Sequence, residues 1–113
     1  MQDHAGLDIL SITTTVGSAA AARTLAREIL GRRLAACVQI DQEIMSLYHW
    51  KGKLCEEPEI RLVIKTVPAC EAGLLELFAE HHPYEVPQFV AVRMQASEDY
   101  RQWAAAEVSV PPG

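Results

Sequence analysis

Tyr48-His49-Trp50-Lys51-Gly52-Lys53 stands between two runs of strand-forming residues, Leu34 to Tyr48 and Ile60 to Thr66. Trp50-Lys51-Gly52-Lys53 reads as a tight turn, with the glycine supplying the positive φ that such turns require. On the second run Ile60, Leu62 and Ile64 fall on one face of a period-two pattern. On the first run the alternation slips near Asp41-Gln42, which predicts a bend or bulge there. Each strand of this hairpin can reach roughly 14 residues, or about 46 Å at ~3.3 Å per residue. A domain of this size has a radius of gyration near ~13 Å, so the hairpin is expected to overshoot it. Its tip carries Tyr48, Trp50 and Leu54. Open strand edges with large apolar side chains call for a cover, and a partner subunit is the expected one. The alternative is a shorter hairpin whose aromatic residues fold back onto their own sheet.

Outward from the hairpin the chain alternates strands and helices. Leu7 to Thr15 is β-branched-rich and alternating, so it reads as a first strand. Gly17-Ser18 interrupts it, and Ser18 is a good N-cap. Ala22, Leu25, Ala26, Ile29 and Leu30 then recur with helical spacing. Gly31 is expected to stop that helix as the residue just past its cap. Pro68 opens a second helix, since the first helical position needs no N–H. Its expected core face is Leu74, Leu75 and Phe78, and it ends at His81-His82-Pro83, because a residue before proline avoids the helical region. Phe89 to Met94 is a last strand. Ser97-Glu98-Asp99 starts a final helix with Tyr100, Trp103 and Ala104 on one face, the two aromatic residues reading as core anchors. Two prolines mark residues 108–113 as a tail. The order β-α-β-β-α-β-α predicts an α+β split βαβ sandwich, with strands one and three parallel at its centre. Both of the first two helices lie on one face; the other is bare, or covered by the last helix or a partner. The whole chain, residues 1–113, reads as a single domain with an ordered core of about 7–107.

Composition narrows the functional classes. The 113 residues hold 10 Lys+Arg and 15 Asp+Glu, a formal net charge of −5. An acidic chain is not a non-specific nucleic-acid binder, which needs excess cations to displace counterions. The longest apolar run, Leu34 to Val38, is far short of the ~20 residues that cross a bilayer, so no membrane insertion is expected. Met1 to Asp8 shows no basic segment followed by an apolar one, and the expected location is the cytoplasm. Cys37, Cys55 and Cys70 are odd in number and lack C-x-x-C spacing, which fits a reducing compartment better than a disulfide framework. No Gly-rich phosphate loop, H-E-x-x-H or G-x-S-x-G occurs, so no catalytic residue is assigned.

Several segments resemble the CutA family, the divalent-cation-tolerance proteins. They are Ser46-Leu47-Tyr48-His49-Trp50-Lys51-Gly52-Lys53, Glu59-Ile60-Arg61-Leu62-Val63-Ile64-Lys65-Thr66 and His81-His82-Pro83-Tyr84-Glu85-Val86-Pro87. Arg33-Leu34-Ala35-Ala36-Cys37-Val38 and Tyr100-Arg101-Gln102-Trp103 support them, in matching order along Leu7 to Trp103. The resemblance implies a ferredoxin-like fold, an interlocked homotrimer, clefts between subunits like those of the PII signalling proteins, and a link to copper and other divalent cations. It supplies no enzymatic reaction.

Two constellations are candidate sites. His81 and His82 are imidazoles suited to Cu or Zn. Neighbouring helical residues point ~100° apart, so one ion would need a third ligand from elsewhere. Family members with a copper proposal carry a Cys just after the first strand; Thr14 is the residue that aligns with it here, and Thr is a poor ligand for soft metals. Weak binding of a divalent cation such as Cu²⁺ is therefore expected, against the competing reading of a helix-terminal pair that caps carbonyls. The second constellation is Tyr48, Trp50, Glu59, Lys65, His82 and Tyr84. Lys65 is a lone cation in an apolar strand, expected to snorkel, to pair with Glu59 or Glu85, or to meet a ligand anion. Three functions follow: a trimeric CutA-like protein of cation tolerance, a PII-like module binding a small anion and contacting a protein partner, or a structural trimer.

Overall fold

The structure, a computed structural model, describes residues 8–109. Its elements are β1 (Asp8–Val16), α1 (Ala19–Gly31), β2 (Cys37–Trp50), β3 (Lys53–Thr66), a 3₁₀ turn (Pro68–Cys70), α2 (Glu71–His81), β4 (Val90–Gln95) and α3 (Glu98–Glu107). The strands form one sheet in the order β2-β3-β1-β4. Every neighbouring pair is antiparallel, including the central one, where Leu10 faces Thr66 and Val16 faces Ile60. The expected parallel centre is thus corrected. Helix α1 returns the chain so that β2 runs with β1, and the hairpin then reverses it, leaving β3 opposed to β1.

One face of the sheet carries the core. Leu10, Ile12 and Val16 of β1 and Ile60, Leu62 and Ile64 of β3 meet Ala22, Leu25 and Ile29 of α1 and Leu74, Leu77 and Phe78 of α2. Burial at ~25 cal/mol per Å² makes this apolar layer the main favourable term. Ser18 caps α1 by accepting from the Ala21 N–H at 3.1 Å. Gly31 does not end this helix as expected, because it lies inside it. The left-handed position falls to Arg33, with φ 57°. Its N–H donates to Leu30 O, and the Leu34 N–H donates back to Ile29 O, so two open carbonyls are satisfied one turn later.

The core stripe of α2 also departs from expectation. Leu77 is fully buried and Leu75 is exposed. The 3₁₀ turn ends on Cys70, itself buried, and the inward row then continues at Leu74, Leu77 and Phe78. Leu75 lies ~100° around the helix from Leu74 and faces away. Gly73 lets α2 approach the loop before β2, since a Cβ there would come within 2.8 Å of the Leu34 side chain.

Helix α3 packs against β1 and β3, with Ala104 buried. Its Ser97 cap accepts from the Tyr100 N–H, and Glu107 pairs with Arg33 at 3.1 Å. The Ser109 N–H donates to Arg33 O, while Leu7 and residues 110–113 of the expected tail lie outside the described residues. Tyr100 and Trp103 are not core anchors. They are 37% and 45% exposed and meet at a tilt, centroids 5.6 Å apart, because the small Ala104 makes the close contact and leaves both rings at the margin.

The hairpin has the anticipated length. Both strands are 14 residues long and the molecule extends 50 Å along its longest axis. Lys51 and Gly52 both take positive φ, 51° and 79°, as a two-residue hairpin turn demands. Pairing of β3 with β1 begins only at Ile60, so Lys53 to Glu59 form, with β2, a free two-stranded arm.

The two leucines of α2 provide a test. Leu77→Ala should lower unfolding free energy by ~2–5 kcal/mol, whereas Leu75→Ala should change it by less than ~0.5 kcal/mol. Urea denaturation of the two variants side by side checks this.

Candidate functional site

The base of the arm is bulged where the alternation slipped. Ile40 faces Leu62 and Glu43 faces Ile60, so Asp41 and Gln42 together oppose Arg61 alone. The Arg61 Nε–H donates to Asp41 Oδ2 at 2.7 Å across this bulge. Side chains of directly opposed residues share a face. Beyond the bulge, therefore, Ile44, Ser46, Tyr48 and Trp50 lie on the face of Glu59, Glu57, Cys55 and Lys53. Met45, Leu47 and Leu54 lie on the other face, each about 60% exposed.

The face holding Glu59 meets the loop between α2 and β4. Thr14 and Thr15 point to opposite sides of β1, and the loop grips both. His82 Nε2 lies 3.0 Å from Thr14 Oγ1 on the core side. Gln88 accepts from the Thr15 hydroxyl at 3.5 Å on the other side. The loop thus wraps the end of β1 and brings Tyr84 over the arm, where its hydroxyl donates to Glu59 Oε2 at 2.7 Å.

A cavity of about 410 Å³ lies between them. Thr15, Tyr48, Trp50 and Glu59 line it from the sheet, and Tyr84, Glu85 and Gln88 from the loop, with Pro83 and Val86. Glu59 is only 8% exposed. Burial, the hydrogen bond to Glu59 and its charge all hold the Tyr84 hydroxyl far above the usual phenol range, so it stays a donor. Burial and the Glu57, Cys55 and Glu59 side chains likewise raise Tyr48.

Four of the five residues expected to bind a ligand, Tyr48, Trp50, Glu59 and Tyr84, are brought together. Lys65 is not among them. It faces Ser11 and Cys37 on the sheet, six residues along β3 from Glu59, about 20 Å at ~3.3 Å per residue. Half-buried, it makes no ion pair among the described residues, so the expected pairing with Glu59 or Glu85 is absent within the chain. Gln88 is a member that the sequence alone did not reveal. Only the loop's wrap around β1 adds it, and no spacing signals it.

His81 and His82 part company. His82 leaves the helix with extended backbone angles and is buried, tilted against Phe78 and edge-on to Tyr84. Its Nδ1 accepts the Tyr84 N–H at 3.1 Å. The remaining ring proton then belongs on Nε2, donated to Thr14. Both nitrogens are engaged, and Thr14 holds the ring by its hydroxyl. His81 stays exposed, with Nε2 2.8 Å from Arg32 and 3.7 Å and 3.6 Å from carboxylates of Glu28 and Glu80. Among the described residues no group of three or more His, Cys, Asp or Glu side chains is arranged to hold a metal ion.

The fold and site define an α+β sandwich with a projecting two-stranded arm and an aromatic–carboxylate pocket at the arm's base. The family model of the CutA1 divalent ion tolerance protein matches residues 10–107. The chain belongs to the CutA family. It is 32% identical to the divalent-cation tolerance protein CutA of Citrobacter koseri over 108 residues, 95% of this chain and 94% of that one. It is 34% identical to CutA of Escherichia coli strain K12 / DH10B over 98 residues, 86% and 88% of the two chains. The divalent cation tolerance protein Cut A1 of Thermus thermophilus superposes with a TM-score of 0.85 at 33% identity, covering 89% of this chain and 99% of that one. CutA1 of Oryza sativa gives 0.86 at 31% identity, with 91% and 95% covered. The ferredoxin-like expectation stands.

The lock at His82 has a pH signature. Burial pushes its ring below the usual imidazole value, against the opposing pull of the Thr15 backbone and the Glu59 carboxylate. Protonating Nδ1 would set it against the Tyr84 N–H. The unfolded chain therefore binds this proton more readily, and the His82 contribution is full above the ordinary value of ~6.5 and lost as pH falls through the folded value. Denaturant midpoints measured from about pH 7.5 to 5.5 should fall more steeply for the wild type than for His82→Gln. Parallel slopes would place the lock elsewhere.

Proposed function

We propose that this chain is a non-enzymatic protein of divalent-cation tolerance that works as a cytoplasmic homotrimer, with the pocket as its ligand-binding site and a weak cation site apart from it. The observation that carries this reading is the convergence of Tyr48, Trp50, Glu59 and Tyr84 on one cavity in a chain of the CutA family. The relatives are named for tolerance of divalent cations and not for a reaction. Three free cysteines suit a reducing compartment. No helix among the described residues is long and apolar enough to cross a membrane.

Exposed apolar surface supports the trimer. Met45, Leu47 and Leu54 are 62%, 59% and 64% exposed on the arm, and Val90, Val92 and Met94 are 51%, 53% and 43% exposed on the edge strand β4. Two apolar stripes on strands with free edges are a liability that a second and third copy would relieve. Analytical ultracentrifugation at micromolar concentration should give a mass of about three chains, the arms and β4 edges being covered by copies of the same chain. A monodisperse monomer would overturn the trimer.

For the cation, support rests on the name of the relatives and on the exposed ring of His81, which forms no three-ligand group with Glu28 and Glu80 among the described residues. Arg32 sits against the same ring nitrogen and competes with any ion, so Cu²⁺ binding is weak. It should be lost once the ring is protonated, since a protonated ring cannot coordinate. His81→Ala should remove most of the Cu²⁺ heat in calorimetry, and His82→Ala should leave it nearly unchanged. The reverse pattern would move the metal to the buried ring.

A second reading is a PII-like module that senses a small anionic ligand in clefts between subunits and passes the signal to a protein partner. The ~410 Å³ pocket favours it over a bare structural scaffold, because ligand sites are typically ~300–1,000 Å³ with a few convergent polar groups.

A further inference from the structure

The charge of the pocket narrows what it can take. Among the described residues that line it, Glu59 and Glu85 carry the only charges, and both are negative. An anion entering here would meet two carboxylates in the lining, with the nearby cation Lys51 already paired with Glu85, and Lys65 lying about 20 Å from Glu59 along β3. The walls are the rings of Tyr48, Trp50 and Tyr84, whose faces are electron-rich. Tyr84 spends its hydroxyl proton on Glu59 Oε2, and Oε1 receives no hydrogen bond from the described residues. A carboxylate has room for about four donors, so this buried group can still accept from a guest.

The molecule already offers the rim a cation of its own. The Lys51 ammonium lies 5.7 Å from the centroid of the Trp50 ring and 3.8 Å from Glu85 Oε2. That is within the ~6 Å over which a ring face attracts a cation. Lys51 is held loosely, its side chain 71% exposed, and stops at the mouth. A divalent metal ion fits less well. Rings are not ligands, and two carboxylates fall short of the ~6 oxygens a hard cation gathers.

We propose that the pocket is a receptor for a protonated amine, a small organic cation whose ammonium group lies among Glu59, Glu85 and the faces of Tyr48 and Trp50. This rests on the reading of the pocket as the working site, and it replaces the anionic ligand of the second reading with a cationic one. The guest's ammonium donates to Glu59 Oε1, and its hydrocarbon part lies along Trp50 and Val86. Lys51 is then a competitor at the rim, displaced when the guest enters.

The protein has two tryptophans, and Trp103 lies on α3, away from the pocket-lining set. A Trp103→Phe background therefore leaves Trp50 as the sole reporter. Its emission is followed while n-butylammonium chloride, n-butanol, inorganic phosphate and calcium chloride are titrated separately at constant ionic strength. The amine should give a saturable change, with the neutral alcohol of the same size at least about ten-fold weaker. Glu59→Gln should weaken the amine by about ten-fold or more, and Lys51→Ala should strengthen it several-fold. Tyr48→Leu, which leaves the buried carboxylate in place, should weaken the amine too and covers the case in which Glu59→Gln fails to fold. Saturation by phosphate but not by the amine would overturn the ligand class and leave the pocket reading standing. An equal response to butanol, or an equal response to calcium, would overturn the class as well. No saturable response of Trp50 to any probe would overturn both the class and the pocket reading.

Discussion

The constraint on which the rest depends is the mismatch of two strand lengths. The core fixes the hairpin at its base, where Val38 and Ile40 face Ile64 and Leu62. The two-residue turn fixes it at the tip, where Trp50 faces Lys53. From Ile40 to Trp50 the chain takes ten steps, but from Lys53 to Leu62 it takes nine. One residue has to be absorbed between two registers that cannot slip. Asp41 and Gln42 absorb it, and Arg61 spans the pair. The ion pair is exposed and contributes ~0–1 kcal/mol, so it marks the position of the bulge more than it stabilises it.

An extra residue reverses the outlook of every later side chain on its strand. Without it, a hairpin that kept the register of its turn would set Ile40 opposite Val63 and Val38 opposite Lys65, off the core face. With the bulge in place, both rings line the same cavity as the one carboxylate that the arm buries. The loop after α2 then supplies the other wall, and His82 sets how that loop departs. A single neutral ring reaches Thr14 on the strand and the Tyr84 N–H on the loop. The same residue that looks like a metal ligand in the sequence is more useful as a spacer, since coordination would take one of those two bonds away.

Much of this was legible in the sequence. Order and type of elements, the turn at Lys51-Gly52 and the slip at Asp41-Gln42 follow from local rules of period and turn chemistry. What escaped depends on phase or distance. Leu75 and Leu77 are equally apolar, and only the 3₁₀ start of α2 decides which faces inward. Gly31 has the right chemistry for a helix stop, but Arg33 accepts the left-handed position because the following Leu34 must turn into the core. Lys65 and Glu59 share a strand face, so they belong together by pattern; separation along the strand keeps them apart. Tyr100 and Trp103 follow helical spacing correctly, yet a helix resting on alanine leaves its large rings at the edge.

The bulge also sorts the arm into two chemistries. One face gathers Glu59, Glu57, Tyr48 and Trp50, a polar and aromatic surface suited to a guest. The other presents Met45, Leu47 and Leu54, an apolar surface suited to another protein chain. These faces belong to the same two strands, and a two-stranded ribbon alone in water is marginally stable. Tyr84 ties only the base of the arm to the body of the domain. A chain that covers the apolar face would therefore also hold Tyr48 and Trp50 in place over Glu59. On the proposed reading, assembly and ligand recognition would fall on the two faces of one hairpin.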